Sequence, residues 1–575
     1  MKLLASACIV SFVAISAVTQ NNPIPFVSQP LTPTSVVPGH AAFTLRVKGA
    51  GFRSGAVVNW NGSSRPTKLV SPNEVDAAIS ATDVAEKTIA TVMVSNLSPG
   101  GGKSNFAYFS VGPAFGEVAF ARRDTVINPP IKNPEAFPMD PVVADFNNDG
   151  KLDLAVGWTD GKRGIIQVFL GNGDGTLQPP VETEVHFPIA SLLAGDFNGD
   201  GNEDIALART SIFESAYVHV LLGTGDGHFK LVTAGGTIDG EPIVAADFNG
   251  DGKLDLIVST FNDGTTTQYV ALGYGDGTFA SPTRLEDLEF FSVPAVGDFN
   301  DDGILDIALT ACFYNCSGGA VDVFWGNGDG TFQLPARFQT QTRTIGVAAG
   351  DVNRDGNLDI VTGATDVLLG NGKGGFTAQA GDGADAGLGL QLLDLNNDHK
   401  LDLFSSSYGT FAAFLGNGDG TFRAPQTWDS GSVGTSGAVV GFPQDGRLAI
   451  VDLNTNALSD AWVISTFRQT TLSVSPTFFD FGNKAVGFSS PPQNFTVTNI
   501  GGWPVTIGAI QLSGHPQSYS ENNNCVGTLA AGASCTITVT FLAQLPGHFP
   551  LEVGIYYGGT TGSPQYIEIA GSAVL

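Results

Sequence analysis

Residues 145–153 read Asp145-Phe146-Asn147-Asn148-Asp149-Gly150-Lys151-Leu152-Asp153, and the pattern recurs five more times, from Asp196, Asp247, Asp298, Asp351 and Asp394. Each copy places oxygen-bearing side chains at loop positions 1, 3, 5 and 9, and the first five copies carry Gly at position 6. Hard cations such as Ca²⁺ take about six to eight oxygen donors from carboxylates, amides and carbonyls, and such loops use a Gly for the sharp turn. A single match to this spacing has little specificity. Six matches, each entering a run of the type Leu152-Asp153-Leu154-Ala155-Val156, describe a repeat whose loop is built to hold a cation.

The first Asp residues of successive copies lie 51, 51, 51, 53 and 43 residues apart. A second signature, Gly171-Asn172-Gly173-Asp174-Gly175-Thr176-Leu177, has counterparts from Gly223, Gly273, Gly326, Gly370 and Gly416. From that Gly to the next acidic loop the distance stays at 24 or 25 residues, so the length variation falls between the acidic loop and the Gly-rich turn. A fixed core with one variable loop is the mark of a structural repeat. Each unit reads as four short strands. One enters the acidic loop (142–144), one leaves it (152–156), one precedes the Gly-rich turn (166–170) and one follows it. Four-stranded units of about 40–50 residues are propeller blades. Counting 25 residues on from Gly416 reaches Gly441, just before a loop that keeps Asp445 and Gly446 but lacks oxygen donors at positions 1, 3 and 9. That predicts a seventh blade without a metal loop. The segment Phe115-Gly116-Glu117-Val118-Ala119-Phe120-Ala121-Arg122-Arg123 reads as a displaced outer strand that completes this last blade and closes the ring, removing exposed sheet edges. An open solenoid is the alternative.

Asp-Phe-Asn-x-Asp-Gly and Gly-Asn-Gly-Asp-Gly-Thr-Phe together make residues 115–468 resemble FG-GAP/VCBS repeats, the integrin-α type of seven-bladed propeller. The resemblance implies Ca²⁺ at the blade hairpins, in about six structural sites. Carried onto this chain, the implied ligands of the first loop are Asp145, Asn147, Asp149, the Lys151 carbonyl and Asp153. In the second they are Asp196, Asn198, Asp200, Asn202 and Asp204, and in the third Asp247, Asn249, Asp251, Lys253 and Asp255. The fourth has Asp298, Asn300, Asp302, Ile304 and Asp306, the fifth Asp351, Asn353, Asp355, Asn357 and Asp359, and the sixth Asp394, Asn396, Asp398, Lys400 and Asp402. In the sixth loop His399 stands in place of Gly, which predicts weaker binding there, because φ > 0 costs a non-Gly residue about 1 kcal/mol. Asp and Asn also cap turns without any metal, but three carboxylates within nine residues repel one another unless a cation joins them.

The flanks alternate apolar and polar residues between Gly, Pro and Asn punctuation, a β-sandwich pattern. The stretch from Gly49 through Phe52 and Trp60-Asn61-Gly62, with Ser95-Asn96 and Phe109-Ser110-Val111, makes residues 23–112 resemble an IPT/TIG immunoglobulin-like domain. Phe478-Phe479-Asp480-Phe481-Gly482, Phe495–Gly501 and Cys535–Phe541 make residues 470–575 resemble a choice-of-anchor D type Ig-like domain, a class of spacer or adhesive module. The fold expected is thus all-β, a seven-bladed propeller flanked by two Ig-like sandwiches.

Lys2, an apolar run from Leu3 to Val18 and a polar stretch from Thr19 read as a secretory signal over residues 1–19. No other stretch is long enough to span a membrane as a helix. Secretion predicts oxidising surroundings and hence two local disulfides, Cys312 with Cys316 and Cys525 with Cys535; a metal site at the first pair is the alternative. The formal net charge of −28 disfavours nucleic acid and anionic membranes as partners. Six divalent ions would bring −28 to −16.

Catalytic signatures are missing: neither H-E-x-x-H nor G-x-S-x-G occurs, and the seven His are scattered. The Gly-rich turns have no following Lys and open no helix, so they read as turns, not phosphate loops. Trp158, Trp325, Trp428 and Trp462 read as packing residues, with sugar stacking as the alternative. The expectation is a secreted or cell-surface, non-enzymatic, calcium-binding adhesion module, monomeric, with an extracellular protein or glycan partner. A lectin and a polysaccharide-active enzyme are the alternatives.

Overall fold

The computed structural model describes residues 21–112, 114, 118, 120–127, 130–131, 136–139, 141–173, 176–211, 214–232, 238–262, 265–288, 293–311, 319–342, 346–381, 389–407, 410–429, 438–442, 447–455, 462–469, 472–500, 504–530, 532–557 and 565–574. The segment 1–19 read as a secretory signal, the Cys312–Cys316 pair and Asp445–Gly446 of the expected seventh loop lie outside these residues. The described regular structure is all strand, apart from one 3-10 turn at Pro516–Ser518.

Seven antiparallel sheets succeed one another between residues 120 and 469. The first runs Val142–Ala144, Asp153–Thr159, Gly164–Phe169, Val181–Val185, with Phe137–Pro138 continuing its first edge. Its second and third strands are buried along their whole length, which is why they read as unbroken apolar runs, whereas the fourth alternates. The seventh sheet is assembled from both ends of the region. Phe120–Val126 pairs antiparallel with Trp462–Gln469, Phe120 opposite Gln469, and beyond it lie Arg447–Thr455 and Ala438–Phe442. First strands of neighbouring sheets pack together: Val142–Ala144 on Ile189–Gly195, that strand on Glu241–Ala246, Val347–Gly350 on both Ala295–Gly297 and Gly389–Leu393. Ala438–Phe442 of the last sheet returns against Val142–Ala144 of the first.

Successive sheets interlock through the two sequence signatures. The aromatic ring at position 2 of an acidic loop meets, edge to face, the aromatic that ends the next unit's Gly-rich turn. Phe146 lies 5.7 Å from Phe229, Phe197 5.9 Å from Phe279, Phe248 5.8 Å from Phe332 and Phe299 6.0 Å from Phe376. The carbonyl at position 2 also accepts an N–H from that turn, Gly227 to Phe146 at 3.2 Å and Gly277 to Phe197 at 3.1 Å. Each such aromatic pair contributes about 0.5–1.5 kcal/mol beyond the area it buries.

The chain upstream forms two sheets. One contains Phe26–Val27, Phe43–Ala50, Glu74–Ile79 and Thr67–Ser71; the other contains Ser35–Val36, Ala107–Val111, Thr88–Asn96 and Val57–Trp60. They share an apolar core that includes Leu45, Val58, Trp60, Val75 and Phe109. Downstream, Leu472–Ser475, Gln493–Asn499, Ser534–Phe541 and Tyr519–Asn523 form one sheet, packed on a second through Phe495, Ile537, Phe541, Val553 and Ile567. The Cys525–Cys535 disulfide is formed, inside that core.

The N-terminal two-sheet unit rests on the acidic loops. Its Ile24 N–H donates to Asp247 Oδ2 at 2.8 Å and its Thr34 hydroxyl to Asp394 Oδ2 at 2.8 Å. Lys103 Nζ donates to the Gly201 carbonyl at 3.0 Å, Asn73 to Asp301 at 3.3 Å, and the Gln29 carbonyl accepts from Asp351 N–H at 3.3 Å. Lys48 reaches the Gly356 carbonyl, and the Asn61 carbonyl lies against Gly150. All six loops thus touch this unit.

Candidate metal-binding loops

Within each loop the same hydrogen bonds recur. In the first, the Asp149 N–H donates to both Asp145 Oδ1 and Asn147 Oδ1 at 3.0 Å, Gly150 N–H to Asp145 Oδ2 at 2.8 Å and Lys151 N–H to Asp149 Oδ1 at 2.9 Å. Positions 1 and 3 share one donor, so their oxygens converge on one side of the turn. The other five loops repeat this set. The glycine at position 6 takes φ between +81° and +92° in the first five copies, the left-handed region that favours it. In the sixth copy His399 takes φ +67°, still donates its N–H to Asp394 at 3.1 Å, and sets its ring nitrogen 3.0 Å from the Thr34 hydroxyl of the N-terminal unit.

Position 9 behaves differently from positions 1, 3 and 5. Asp153 Oδ2 accepts the Phe146 N–H at 2.9 Å and its Oδ1 accepts the Gly171 N–H at 2.8 Å, and Asp204, Asp255, Asp306, Asp359 and Asp402 do the same with their own loop and turn. These six carboxylates are buried, at 0–1 % exposure. Each clasps the acidic loop to the first Gly of the unit's own Gly-rich turn. That Gly is required by close approach. A Cβ on Gly171 would stand 2.1 Å from the Leu152 carbonyl oxygen, and the five counterparts meet position 8 in the same way at 2.1–2.3 Å.

Burial pushes Asp153, Asp204, Asp255 and Asp359 up to about 7 and Asp306 up to about 8. Neighbouring loop carboxylates add to this, and the backbone N–H donors oppose it. Asp247, Asp298 and Asp394 at position 1 are pushed up to about 6, again chiefly by burial. Such clusters at neutral pH require bound protons or a cation. Lysines supply little compensation: Lys151 and Lys400 stand 3.2 Å, and Lys253 3.6 Å, from the position-5 Asp of their loops, in partly exposed pairs worth under about 1 kcal/mol.

Among the described residues no three His, Cys, Asp or Glu side chains are grouped as a metal centre. The reason lies in the donor set. The position-1 carboxylate and the position-3 amide oxygen share one donor, the position-5 carboxylate accepts the position-7 N–H, and the position-9 carboxylate faces backbone amides. These hard oxygen donors still fit a divalent cation of the Ca²⁺ type, with the position-7 carbonyl and the remaining lone pairs of position 9 as further donors.

In the Gly-rich turns, Asp276, Asp329 and Asp419 each accept the N–H and hydroxyl of the Thr two residues on, as turn formers do. Asp174 lies outside the described residues. Trp158 is fully buried, and Trp325 and Trp428 pack at the edges of apolar clusters.

The chain carries FG-GAP-like repeats, matched at residues 145–207, 196–258, 247–309 and 298–362, and an Ig-like domain of the HYDIN/CFA65/VesB-like family at residues 470–572. Similar solved structures include a lectin of Agrocybe aegerita specific for non-reducing terminal N-acetylglucosamine, 18% identical over 60% of this chain and 90% of the lectin, TM-score 0.36. A putative phosphatase from Bacteroides thetaiotaomicron is 12% identical over 78% of this chain and 97% of its own, TM-score 0.30. An auxiliary nutrient binding protein from Bacteroides ovatus is 10% identical over 78% and 98%, TM-score 0.29. Likenesses of this size assign no activity to this chain.

Proposed function

We propose that the chain is a secreted or cell-surface, calcium-stabilised binding module without catalytic function. In this reading the seven sheets are the blades of a closed propeller. An IPT/TIG-like sandwich is seated on its acidic-loop face, and a choice-of-anchor D type Ig-like domain follows. The observation that carries the proposal is the sixfold recurrence of one loop whose converging oxygens and buried carboxylates lack a balancing charge. Asp145, Asn147, Asp149, the Lys151 carbonyl and Asp153, with their five sets of counterparts, would hold about six Ca²⁺ ions. Each ion would supply positive charge and cross-link the two strands that flank its loop.

The acidic-loop face is covered by the N-terminal unit, so the partner, an extracellular protein or glycan, is assigned to the opposite face. Adhesion predicts that the full chain retains a cell-surface or matrix protein in Ca²⁺ and releases it on chelation. Retention unaffected by chelator would separate binding from the ions. A chain that retains nothing from any matrix or cell surface, in Ca²⁺ at physiological salt, would overturn the adhesive reading.

A further inference from the structure

Position 8 of the acidic loop is Leu in five copies and Glu203 in the second. In three copies that Leu packs over the Gly ending the first strand of the preceding sheet. A Cβ on Gly195 would lie 2.8 Å from Leu254, on Gly297 2.8 Å from Leu358 and on Gly350 2.7 Å from Leu401. By the same register Glu203 carries its carboxylate toward Ala144. A cavity of about 600 Å³ opens there, between the N-terminal unit and the first three sheets of the repeat region, and Glu203 and Ala144 both line it. Phe26, Ala194, Leu254 and Leu305 give it apolar walls.

Two opposite charges face this space from different parts of the chain. The Glu203 carboxylate, on a half-buried residue, has no hydrogen-bond or ion-pair partner among the described residues. Lys103, on the N-terminal unit, donates to the Gly201 carbonyl at 3.0 Å and to Asn148 Oδ1 at 3.5 Å. An ammonium has three donors, so one is left over. The loop carboxylates that share the lining are already engaged: Asp196 by amides of its own loop, Asp200 by the Asn202 N–H and the Asn198 side-chain amide, and Asp247 by amides of its own loop and by the Ile24 N–H. A partly buried carboxylate and an ammonium with a spare donor on one lining offer two polar anchors, and pockets of about 300–1,000 Å³ with apolar walls and a few convergent polar groups are the usual form of small-ligand sites.

We propose that this cavity binds a small zwitterion with an apolar body, the chemistry of an apolar amino acid. Its ammonium is taken by Glu203, its carboxylate by Lys103, and its side chain lies against Leu254 and Leu305. A ligand with one charge would leave the other wall unpaired. The proposal does not depend on the adhesive reading.

The test is isothermal titration of the full chain, held in Ca²⁺, with leucine, phenylalanine, leucinamide and N-acetylleucine. Leucine is expected to give saturable binding, and each analogue, lacking one charge, to bind at least about tenfold more weakly. Glu203→Leu installs the residue that five sister loops carry, so it is expected to fold with an undiminished melting temperature and to lose leucine binding. Lys103→Met is expected to weaken it. No saturable heat with leucine or phenylalanine, or a Glu203→Leu variant that binds leucine as the parent does, would overturn the proposal. The second result would leave Glu203 as no more than a distant partner for Lys103 in seating the N-terminal unit.

Discussion

At loop position 9, Asp255 takes the Phe248 N–H at 2.9 Å and the Gly273 N–H at 2.8 Å on its two oxygens. Removing it orphans two buried backbone donors, each costing about 1–3 kcal/mol. Asp255→Ala is therefore expected to lose about 2–4 kcal/mol of stability in urea unfolding, and to lose it in chelator as well as in Ca²⁺. Asp251, at position 5, accepts the Lys253 N–H at 3.1 Å and lies 3.6 Å from that residue's ammonium in a partly exposed pair. Asp251→Ala is expected to remove one bound ion per chain and to leave metal-free stability within about 1 kcal/mol of the parent. Equal behaviour of the two variants in chelator would contradict this division. The sequence does not separate the two roles, because both are Asp in one motif and only burial tells them apart. What is legible is the contrast of Gly and non-Gly at position 6, and His399 does take the positive φ expected of it.

At the level of elements, the unit of cohesion is a loop from one sheet and a turn from the next. Phe197 and Phe279 meet at 5.9 Å with their planes 72° apart. Each single alanine variant is expected to cost about 3–5 kcal/mol at a buried phenylalanine and somewhat less at the more exposed Phe279. The double-mutant cycle is expected to return a coupling of about 0.5–1.5 kcal/mol. Additive single effects would mean that the two rings stabilise the sheets independently. Both aromatics stand in the repeat signatures and are visible in the chain, but their partnership is not. They lie more than 80 residues apart, and repeats alone do not say which loop meets which turn. The pairing of Phe120–Val126 with Trp462–Gln469 was easier to foresee, because the last unit lacks a fourth strand of its own and an orphan strand precedes the first. The seating of residues 22–105 on the six loops has no sequence signal at all. Ile24 and Asp247 are 223 residues apart, and the contacts set scattered side chains such as Lys48, Asn73 and Lys103, and single backbone groups, against the loops in no repeating pattern.

Across the whole molecule, the acidic loops give folding a pH dependence that the ions should reverse. Burial holds Asp153, Asp255 and Asp359 up to about 7 in the folded chain, against about 4 for an ordinary Asp. Between those values the metal-free folded chain binds more protons than the unfolded chain, so its stability is highest near the lower value and falls as pH rises through the upper one. In chelator the melting temperature is expected to be higher at pH 5 than at pH 8. In millimolar Ca²⁺ the ionised loops are filled, and the difference should shrink or change sign. A metal-free melting temperature that rises from pH 5 to pH 8 would contradict this. The most direct test of the account is elemental analysis of the full chain after dialysis against millimolar Ca²⁺ at neutral pH. The account predicts about six calcium ions per chain, lost on chelation together with several degrees of melting temperature. A chain that carries no bound calcium and melts at the same temperature with and without chelator would contradict it.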